Sequence, residues 1–198
     1  MTQAPDPEYI IVIGASAGGL KPMCEVLSVL PRNLNAPVVV AIHGGHLSQL
    51  TEVLTRTASL PVQKATDGQA LEPGVIAVCP GGEHTRIEGR VLRLGRLPDA
   101  ARFQPSVDLL FRSAAEHYGT GTVAVVLSGN LNDGTAGAEA VHRAGGVLLV
   151  QLPREADYPS MPASVVLHDH PDAILLAEDI AQRLFDSVGA RGLLHVPL

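Results

Sequence analysis

The fold is decided by the stretch Tyr9-Ile10-Ile11-Val12-Ile13-Gly14-Ala15-Ser16-Ala17-Gly18-Gly19, which is followed by helical spacing of apolar residues over 20–30. The apolar run predicts a buried strand, and the glycines predict a tight turn before the helix. A strand, a turn and a helix with serine in the turn form the local pattern of a nucleophile elbow. There, flanking glycines let the backbone turn sharply and place the hydroxyl beside helix N-terminal amides. Ser16 is therefore the candidate nucleophile.

A glycine-rich turn has other uses, namely a dinucleotide-binding turn, a phosphate loop, or a structural turn with an incidental serine. The phosphate loop is disfavoured because Gly19 is followed by Leu20-Lys21-Pro22, without a Lys-Ser or Lys-Thr pair. A dinucleotide site needs an acidic residue at the end of the second strand, whereas the predicted strand over 37–42 ends in His43. An imidazole base stands at that position, and the structural turn stays open as an alternative.

Length and composition predict one globular domain over residues 1–198. The chain is 46% hydrophobic and 17% charged and has no tryptophan, so Val, Leu, Ile and Ala must build the core, as buried parallel strands require. The net charge of -6 and the lack of a basic run disfavour a nucleic-acid partner. A globular enzyme fits this composition.

Cysteine spacing and hydropathy limit the metal chemistry and the cellular location that can be expected. Cys24 and Cys79 lack metal-ligand spacing and are predicted to be buried free thiols. We expect neither a metal nor a cofactor. No apolar run has membrane-spanning length, and the first residues do not resemble a signal peptide, so we expect a cytoplasmic protein that is not inserted in a membrane.

Apolar periodicity along the chain predicts an α/β fold, doubly wound, with a mostly parallel sheet, helices on both faces and a small antiparallel hairpin. Further strands are predicted at 60–65, 75–79, 123–127 and 147–151, and the hairpin at 85–87 and 91–94. Helices are predicted at 47–58, from 105–106 onward, and at 136–144, 163–167 and 179–188. Irregular segments are expected at 97–104 and 153–162.

Ligands of such sheets bind beyond the carboxyl ends of the strands, near the switch point. Ser16, His43 and Asp133 each follow a predicted strand. A nucleophile, a base and a carboxylate on one rim are the minimum for Ser-His-Asp chemistry. The α/β-hydrolase fold is disfavoured because the elbow follows the first strand and the histidine precedes the acid. For Asp133, the alternative is an Asx turn or an N-cap of the next helix.

Together with the elbow, several motifs make nearly the whole chain resemble the catalytic domain of CheB-type chemoreceptor glutamate methylesterases. They are Asp67-Gly68, Pro73-Gly74, Pro80-Gly81 with His84, Pro105-Ser106-Val107-Asp108, Asn132-Asp133-Gly134 and Met161-Pro162. The resemblance implies that Ser16 is the nucleophile, His43 the general base and Asp133 the acid. Because the motifs cover nearly the whole chain, we expect a stand-alone catalytic domain without a receiver domain. The expected partner is the cytoplasmic domain of a methylated chemoreceptor, or a related signalling protein, whose glutamate methyl esters are hydrolysed and whose glutamines can be deamidated.

Three sites depart from that family pattern. Gly44-Gly45 follow His43 where Met-Pro is usual, Gly129-Asn130-Leu131 replaces Gly-Met-Gly, and Gln104 replaces an arginine. Residues expected at the oxyanion site or pocket are Ala17, Gly18, Asn130, Leu131 and Gln104. The alternative function is a catalytically weak or inactive binding or scaffold protein on the same fold.

Two other residues of the family motifs have less direct interpretations. His84 is expected either to line the cleft or to hydrogen-bond a loop. Asp108 is expected to lie in the first turn of a helix and to stabilise the helix dipole rather than to act in catalysis.

Overall fold

The structure is a computed structural model that describes residues 8–43, 47–96 and 104–192. The turn at 44–46 and most of the irregular segment predicted at 97–104 lie outside these ranges. The elements are β1 Ile10–Ala15, α1 Leu20–Ser28, β2 Val38–Ile42, α2 Leu47–Thr57, β3 Val62–Lys64, β4 Ile76–Val78, β5 His84–Glu88, β6 Val91–Gly95, α3 Val107–Tyr118, β7 Thr122–Val126, α4 Thr135–Arg143, β8 Val147–Gln151, α5 Ser160–His168, β9 Ala173–Leu175 and α6 Ala177–Gly192.

The central sheet has the strand order β3-β4-β2-β1-β7-β8-β9, and every neighbouring pair is parallel. From β1 the chain first builds the side that contains β2, β4 and β3. It then returns past β1 to add β7, β8 and β9 on the other side. The switch in strand order therefore falls beside β1, and the predicted doubly wound sheet is confirmed. Ligand sites in such sheets lie at the carboxyl ends of the strands next to this switch.

Successive residues of β1 face two different helical layers. Ile11 and Ile13 pack into the cluster that contains residues of α1, α2 and α6. Ile10 and Val12 pack into the cluster of α3, α4, α5 and the β5–β6 hairpin. A strand covered on both faces must be apolar at every position, which explains why the run that predicted β1 shows no alternation.

Several elements differ from the predictions in their end residues, and two differ in more than that. α5 begins at Ser160, inside the segment expected to be irregular, because Pro159 and Pro162 lie at the helix start, where a proline costs no intrahelical hydrogen bond. β9 was not predicted. It has only three residues, none fully buried, and pairs with β8 alone, so its sequence carries little periodic signal.

Both cysteines are free thiols, as predicted, although only Cys79 is fully buried and Cys24 is half-buried. Burial raises the pKa of Cys79 to about 12, so its thiol stays protonated at neutral pH. Among the residues that the structure describes, no helix combines the length and apolar character needed to cross a bilayer.

The close approach of α3 to β1 depends on Gly14, since an added Cβ would overlap the side chain of Val107. We expect Gly14→Ala to lower the free energy of unfolding by about 1–3 kcal/mol through overpacking. Gly189→Ala in α6 is the matched control, because its added Cβ meets no described atom within 4 Å. It should raise stability by up to about 1 kcal/mol through helix propensity. Urea denaturation of both variants checks this, and equal effects would contradict the packing argument.

Candidate active site

Three strand ends bring Ser16, His43 and Asp133 to one edge of the sheet. Ala15 of β1 and Ile42 of β2 are register partners, so Ser16 and His43 follow directly from a paired position. The His43 N–H donates to the Ala15 carbonyl at 3.1 Å. Asp133 lies in the turn between α4 and β7, and β7 is the neighbour of β1 on its other side. The three residues thus lie beside the topological switch.

His43 and Asp133 form a buried pair. The distance from His43 Nε2 to Asp133 Oδ2 is 2.7 Å, and the two side chains are 11% and 4% exposed, respectively. A carboxylate at this distance orients the ring and favours a proton on the nitrogen that it contacts. The pair therefore has the geometry of a base and the group that orients it.

Asp133 also accepts hydrogen bonds from the N-terminus of α3. Its Oδ2 accepts the N–H of Val107 at 2.8 Å, and its Oδ1 accepts the N–H of Asp108 at 3.0 Å. Burial by itself raises the pKa of Asp133. The hydrogen bond with His43 and the two backbone N–H groups outweigh burial and hold this pKa below its ordinary value. Asp133 is therefore ionised at neutral pH.

Asp108 makes the reciprocal contact, from α3 to α4. Its Oδ1 accepts the N–H groups of Gly134 at 3.0 Å and Gly137 at 2.6 Å. Burial raises the pKa of Asp108, and the charge of Asp133 adds to the increase. The predicted position in the first turn of a helix is confirmed, but the hydrogen bonds of Asp108 go to the N-terminus of the neighbouring helix.

The alternative role of Asp133, an Asx turn or an N-cap of the following helix, reduces to one contact with the adjacent residue. Asp133 Oδ1 accepts the Gly134 N–H at 3.1 Å, but α4 has no side-chain hydrogen bond from its N-cap residue. Asp133 accepts hydrogen bonds from two N–H groups at the N-terminus of α3, and from only Gly134 before α4. The two aspartates therefore cap each other's helices.

Close contacts explain the glycines of the elbow. Gly18 has φ +69°, in the left-handed region that favours glycine. A Cβ added at Gly19 would lie 2.5 Å from the Cβ of Ala15 and 2.8 Å from the Ser128 carbonyl oxygen. The Ser16 N–H donates to that same carbonyl at 2.9 Å. The turn therefore fits only without side chains at these two positions.

Ser128, after β7, holds the elbow in place and was not singled out from the sequence. Its hydroxyl donates to the Ala17 carbonyl at 2.9 Å and accepts the Tyr158 N–H at 3.1 Å. Its own N–H donates to the side-chain oxygen of Gln151 at 2.8 Å. Gln151 is only 3% exposed. A glutamine that ends an otherwise apolar strand was the one sequence signal for this network.

Gly129 and Met161 form the packing beside the candidate nucleophile. A Cβ added at Gly129 would lie 2.9 Å from the Ser16 Cβ and 2.5 Å from the Met161 sulfur. Met161 is fully buried, and its N–H donates to the Gly129 carbonyl at 2.9 Å. Met161 thus packs against the loop that borders Ser16.

The residues expected at the oxyanion site or pocket fall into two groups. Ala17 and Gly18 lie in the elbow, and their N–H groups donate no hydrogen bond within the described part of the chain. Asn130, Leu131 and Gln104 are exposed. Asn130 and Leu131 follow β7, whereas Gln104 precedes α3 and makes no hydrogen bond to the described residues of the site.

Removing the charge of each aspartate should have different effects on the free energy of unfolding. Because the pKa of Asp133 is lowered, its ionised form contributes stability at neutral pH that is lost as pH falls below about 4. Asp133→Asn turns an NH₂ group toward backbone donors, and we expect a loss of about 1–3 kcal/mol at pH 7. The pKa of Asp108 is raised, so its ionisation as pH rises costs stability. Asp108→Asn, which keeps an acceptor oxygen, should therefore be nearly neutral.

Urea denaturation at several pH values measures both effects. The gap between wild type and Asp133→Asn should narrow as pH falls below about 4. Equal destabilisation by the two amides at pH 7 would contradict the assignment of opposite pKa shifts.

Leu131 is the one non-glycine residue with positive φ in the described ranges, at 67°. The left-handed conformation costs a leucine about 1–2 kcal/mol, and its side chain is 47% exposed and gains little from packing. We expect Leu131→Gly to raise the free energy of unfolding by about 1 kcal/mol. Leu167→Gly, at an exposed position of α5, is the control and should lower it by about as much. A loss of stability in Leu131→Gly would contradict the strain.

Comparisons with known proteins agree with this architecture. The sequence profile of the CheB methylesterase family matches residues 11–184. Protein-glutamate methylesterase/protein-glutamine glutaminase 5 of Myxococcus xanthus is 35% identical over 79% of this chain and 47% of its own length. The protein-glutamate methylesterase/protein-glutamine glutaminase of Thermotoga maritima is 34% identical over 90% of this chain and 54% of its own length. The chain thus spans about half the length of the curated relatives it matches.

One solved structure is similar over most of this chain. The crystal structure of the Thermotoga maritima CheB methylesterase catalytic domain superposes with a TM-score of 0.86 at 32% sequence identity. The match covers 90% of this chain and 97% of that domain. On the sequence profile, the relatives and this structure, the chain belongs to the CheB methylesterase family.

Proposed function

We propose that this protein is a serine esterase that hydrolyses glutamate γ-methyl esters on the cytoplasmic domains of chemoreceptors, with Ser16, His43 and Asp133 as its catalytic residues. The observation that carries the proposal is the buried contact of 2.7 Å between His43 and Asp133, next to a serine at the end of the adjacent strand. The names of the relatives support the substrate, since they are protein-glutamate methylesterases. Action on these domains would put the protein in the cytoplasm.

Because Asp133 contacts Nε2 of His43, we assign the other ring nitrogen, Nδ1, to the Ser16 hydroxyl in the proposed mechanism. In the proposed reaction, Ser16 Oγ attacks the ester carbonyl carbon while His43 accepts the hydroxyl proton. His43 then returns the proton to the leaving methoxide, and methanol departs. A water molecule, deprotonated by the same ring, attacks the acyl-enzyme, and the ring passes that proton to Ser16 Oγ as the acyl bond breaks. The receptor's glutamate side chain is released as a carboxylate. Asp133 fixes the tautomer and stabilises the imidazolium in both steps.

The oxyanion is assigned to the elbow. The N–H groups of Ala17 and Gly18 lie just before α1, and neither donates to another described residue. Donors that need no rearrangement stabilise the charge as it develops on the carbonyl oxygen, and the N-terminal end of α1 adds a favourable field.

The same residues can act on a glutamine side chain. Its γ-amide carbonyl is attacked in the same way, His43 protonates the leaving nitrogen, and ammonia departs instead of methanol. The resulting acyl-enzyme is identical to that formed from the ester. The proposed activity therefore includes deamidation of receptor glutamines, in line with the glutaminase part of the relatives' names.

Methanol release from methylated receptor tests the proposal. Ser16→Ala should abolish release, and Asp133→Asn should reduce turnover by roughly ten-thousandfold, as in a serine protease. Ser28→Ala is the control, because this exposed hydroxyl only donates to the Glu25 carbonyl within α1, and its turnover should equal that of wild type.

Two results would overturn the assignment. Methanol release by the Ser16→Ala variant at the wild-type rate would show that Ser16 is not the nucleophile. Receptor binding by the wild type without methanol release above the Ser16→Ala level would favour the alternative, a binding protein on the same fold.

A further inference from the structure

The β5–β6 hairpin turns two arginines outward, directly opposite each other. The strand register pairs Arg86 with Arg93 and His84 with Gly95. Side chains alternate between the two faces of a strand, so these four positions share one face. The opposite face carries Ile87, which is buried in the core. The exposed arginine side chains on this outward face are therefore not required for packing of the hairpin.

Like charges directly opposite on paired strands are unfavourable, and among the described residues one carboxylate lies within ion-pair distance of both arginines. Glu88 Oε2 lies 3.1 Å from Arg93 Nε and 3.9 Å from Arg86 Nη2. One negative charge shared by two guanidinium groups leaves an excess positive charge. Neither arginine is needed to fill the core, so packing does not offset the free-energy cost of their repulsion. Such an uncompensated local cost is typical of binding sites.

The hairpin is basic in an acidic protein. Residues 84–96 contain four of the 14 Lys and Arg side chains, whereas the whole chain has a net charge of -6. Partly exposed charges attract a ligand of opposite sign from solution. An anionic group is therefore the ligand that this face selects.

His84, next to Arg86 on this face, has unused hydrogen-bonding capacity. Its side chain is buried, with 2% exposure, and neither ring nitrogen has a hydrogen-bond partner within the described ranges. A neutral imidazole offers one donor and one acceptor, and buried polar groups are normally paired. Burial lowers the pKa of His84, and the charge of Asp133 opposes this shift. The ring is thus neutral at pH 7 and within the electrostatic reach of the catalytic pair.

A small cavity connects these groups. Its volume is about 30 Å³, and it is lined by His84, Arg86, Arg93, Leu94, Gly95 and Leu109. Leu109 lies in the first turn of α3, next to the N–H groups that bind Asp133. A Cβ added at Gly95 would meet no described atom within 4 Å, so the described part of the chain leaves space above this position. The cavity has room for one water or for the end of a carboxylate side chain.

From these observations we infer that the outward face of the hairpin is a subsite for an acidic side chain of the protein substrate, close in sequence or space to the esterified glutamate. This inference rests on the proposed function. Arginine pairs bind carboxylates through charge-assisted hydrogen bonds, and the side chain of a neighbouring glutamate supplies such a group. The subsite would make the enzyme prefer methyl esters that lie among unmodified glutamates.

Peptide binding tests the subsite without requiring turnover. Two peptides carry one glutamate γ-methyl ester, flanked by glutamates in one and by glutamines in the other. Fluorescence anisotropy measures their affinity for the Ser16→Ala protein. We expect the acidic peptide to bind about tenfold more tightly at low salt, and this preference to shrink as salt is raised.

Substitutions then test whether Arg86 and Arg93 cause the preference for the acidic peptide. In the Ser16→Ala background, Arg86→Gln with Arg93→Gln should bring the two affinities within about twofold. Arg56→Gln is the matched control, since Arg56 is an exposed arginine of α2 that pairs with Glu52 at 3.5 Å, and the preference should persist. Arg86→Gln alone keeps the bond between Arg93 and Glu88, so the hairpin stays folded. It should still lose several-fold in affinity for the acidic peptide.

The outcomes separate the subsite from the proposed function. Equal affinity for the two peptides in the Ser16→Ala protein, or equal weakening of both by the arginine substitutions, overturns the subsite. An acidic preference without methanol release by the wild type supports the subsite and overturns the esterase. Methanol release with no preference leaves the esterase standing and removes the subsite.

Discussion

The constraint on which the site depends is the reciprocal capping of α3 and α4, in which Asp133 binds the N-terminus of α3 and Asp108 binds that of α4. Together with His43 itself, the N-terminus of α3 keeps Asp133 ionised where it faces the ring, and Asp108 ties that helix to α4 in return. The two helices must approach closely for both contacts. Gly137 permits this approach, since an added Cβ would lie 2.7 Å from the Phe111 Cβ. Helix packing on one face of the sheet thus determines the geometry at its edge.

The same arrangement gives the two aspartates, Asp133 and Asp108, different roles. Both carboxylates lie among backbone N–H groups, but only Asp133 also contacts an imidazole. Their pKa values move in opposite directions, as is common where one of two neighbouring acids has a chemical role. Asp133 supplies charge to His43, whereas Asp108 supplies geometry to Asp133. The acid of the proposed mechanism is therefore supported by a residue that never touches the ring.

Sequence patterns predicted the parts of this structure that depend on local order. The apolar run before Ser16, the glycine turn and the hairpin follow from periodicity and turn chemistry, and the shared edge follows from the rule for parallel sheets. Partners distant in sequence could not be predicted in this way. The hydrogen bonds of Asp133 to α3 and of Ser128 to Gln151 arise only when elements pack together. For the same reason, the alternative role considered for Asp133 was a cap of the following helix and not of α3.

The outermost strands of the sheet have a consequence for behaviour at high concentration. β3 and β9 have three residues each, and the β3 edge carries Lys64. Long, flat and apolar edges offer unpaired backbone groups to a second molecule and so promote aggregation. Here each edge presents few such groups, and one carries a charge that must be desolvated before another strand can be added. The sheet can therefore keep an almost wholly apolar interior without offering neighbouring molecules a template for strand addition.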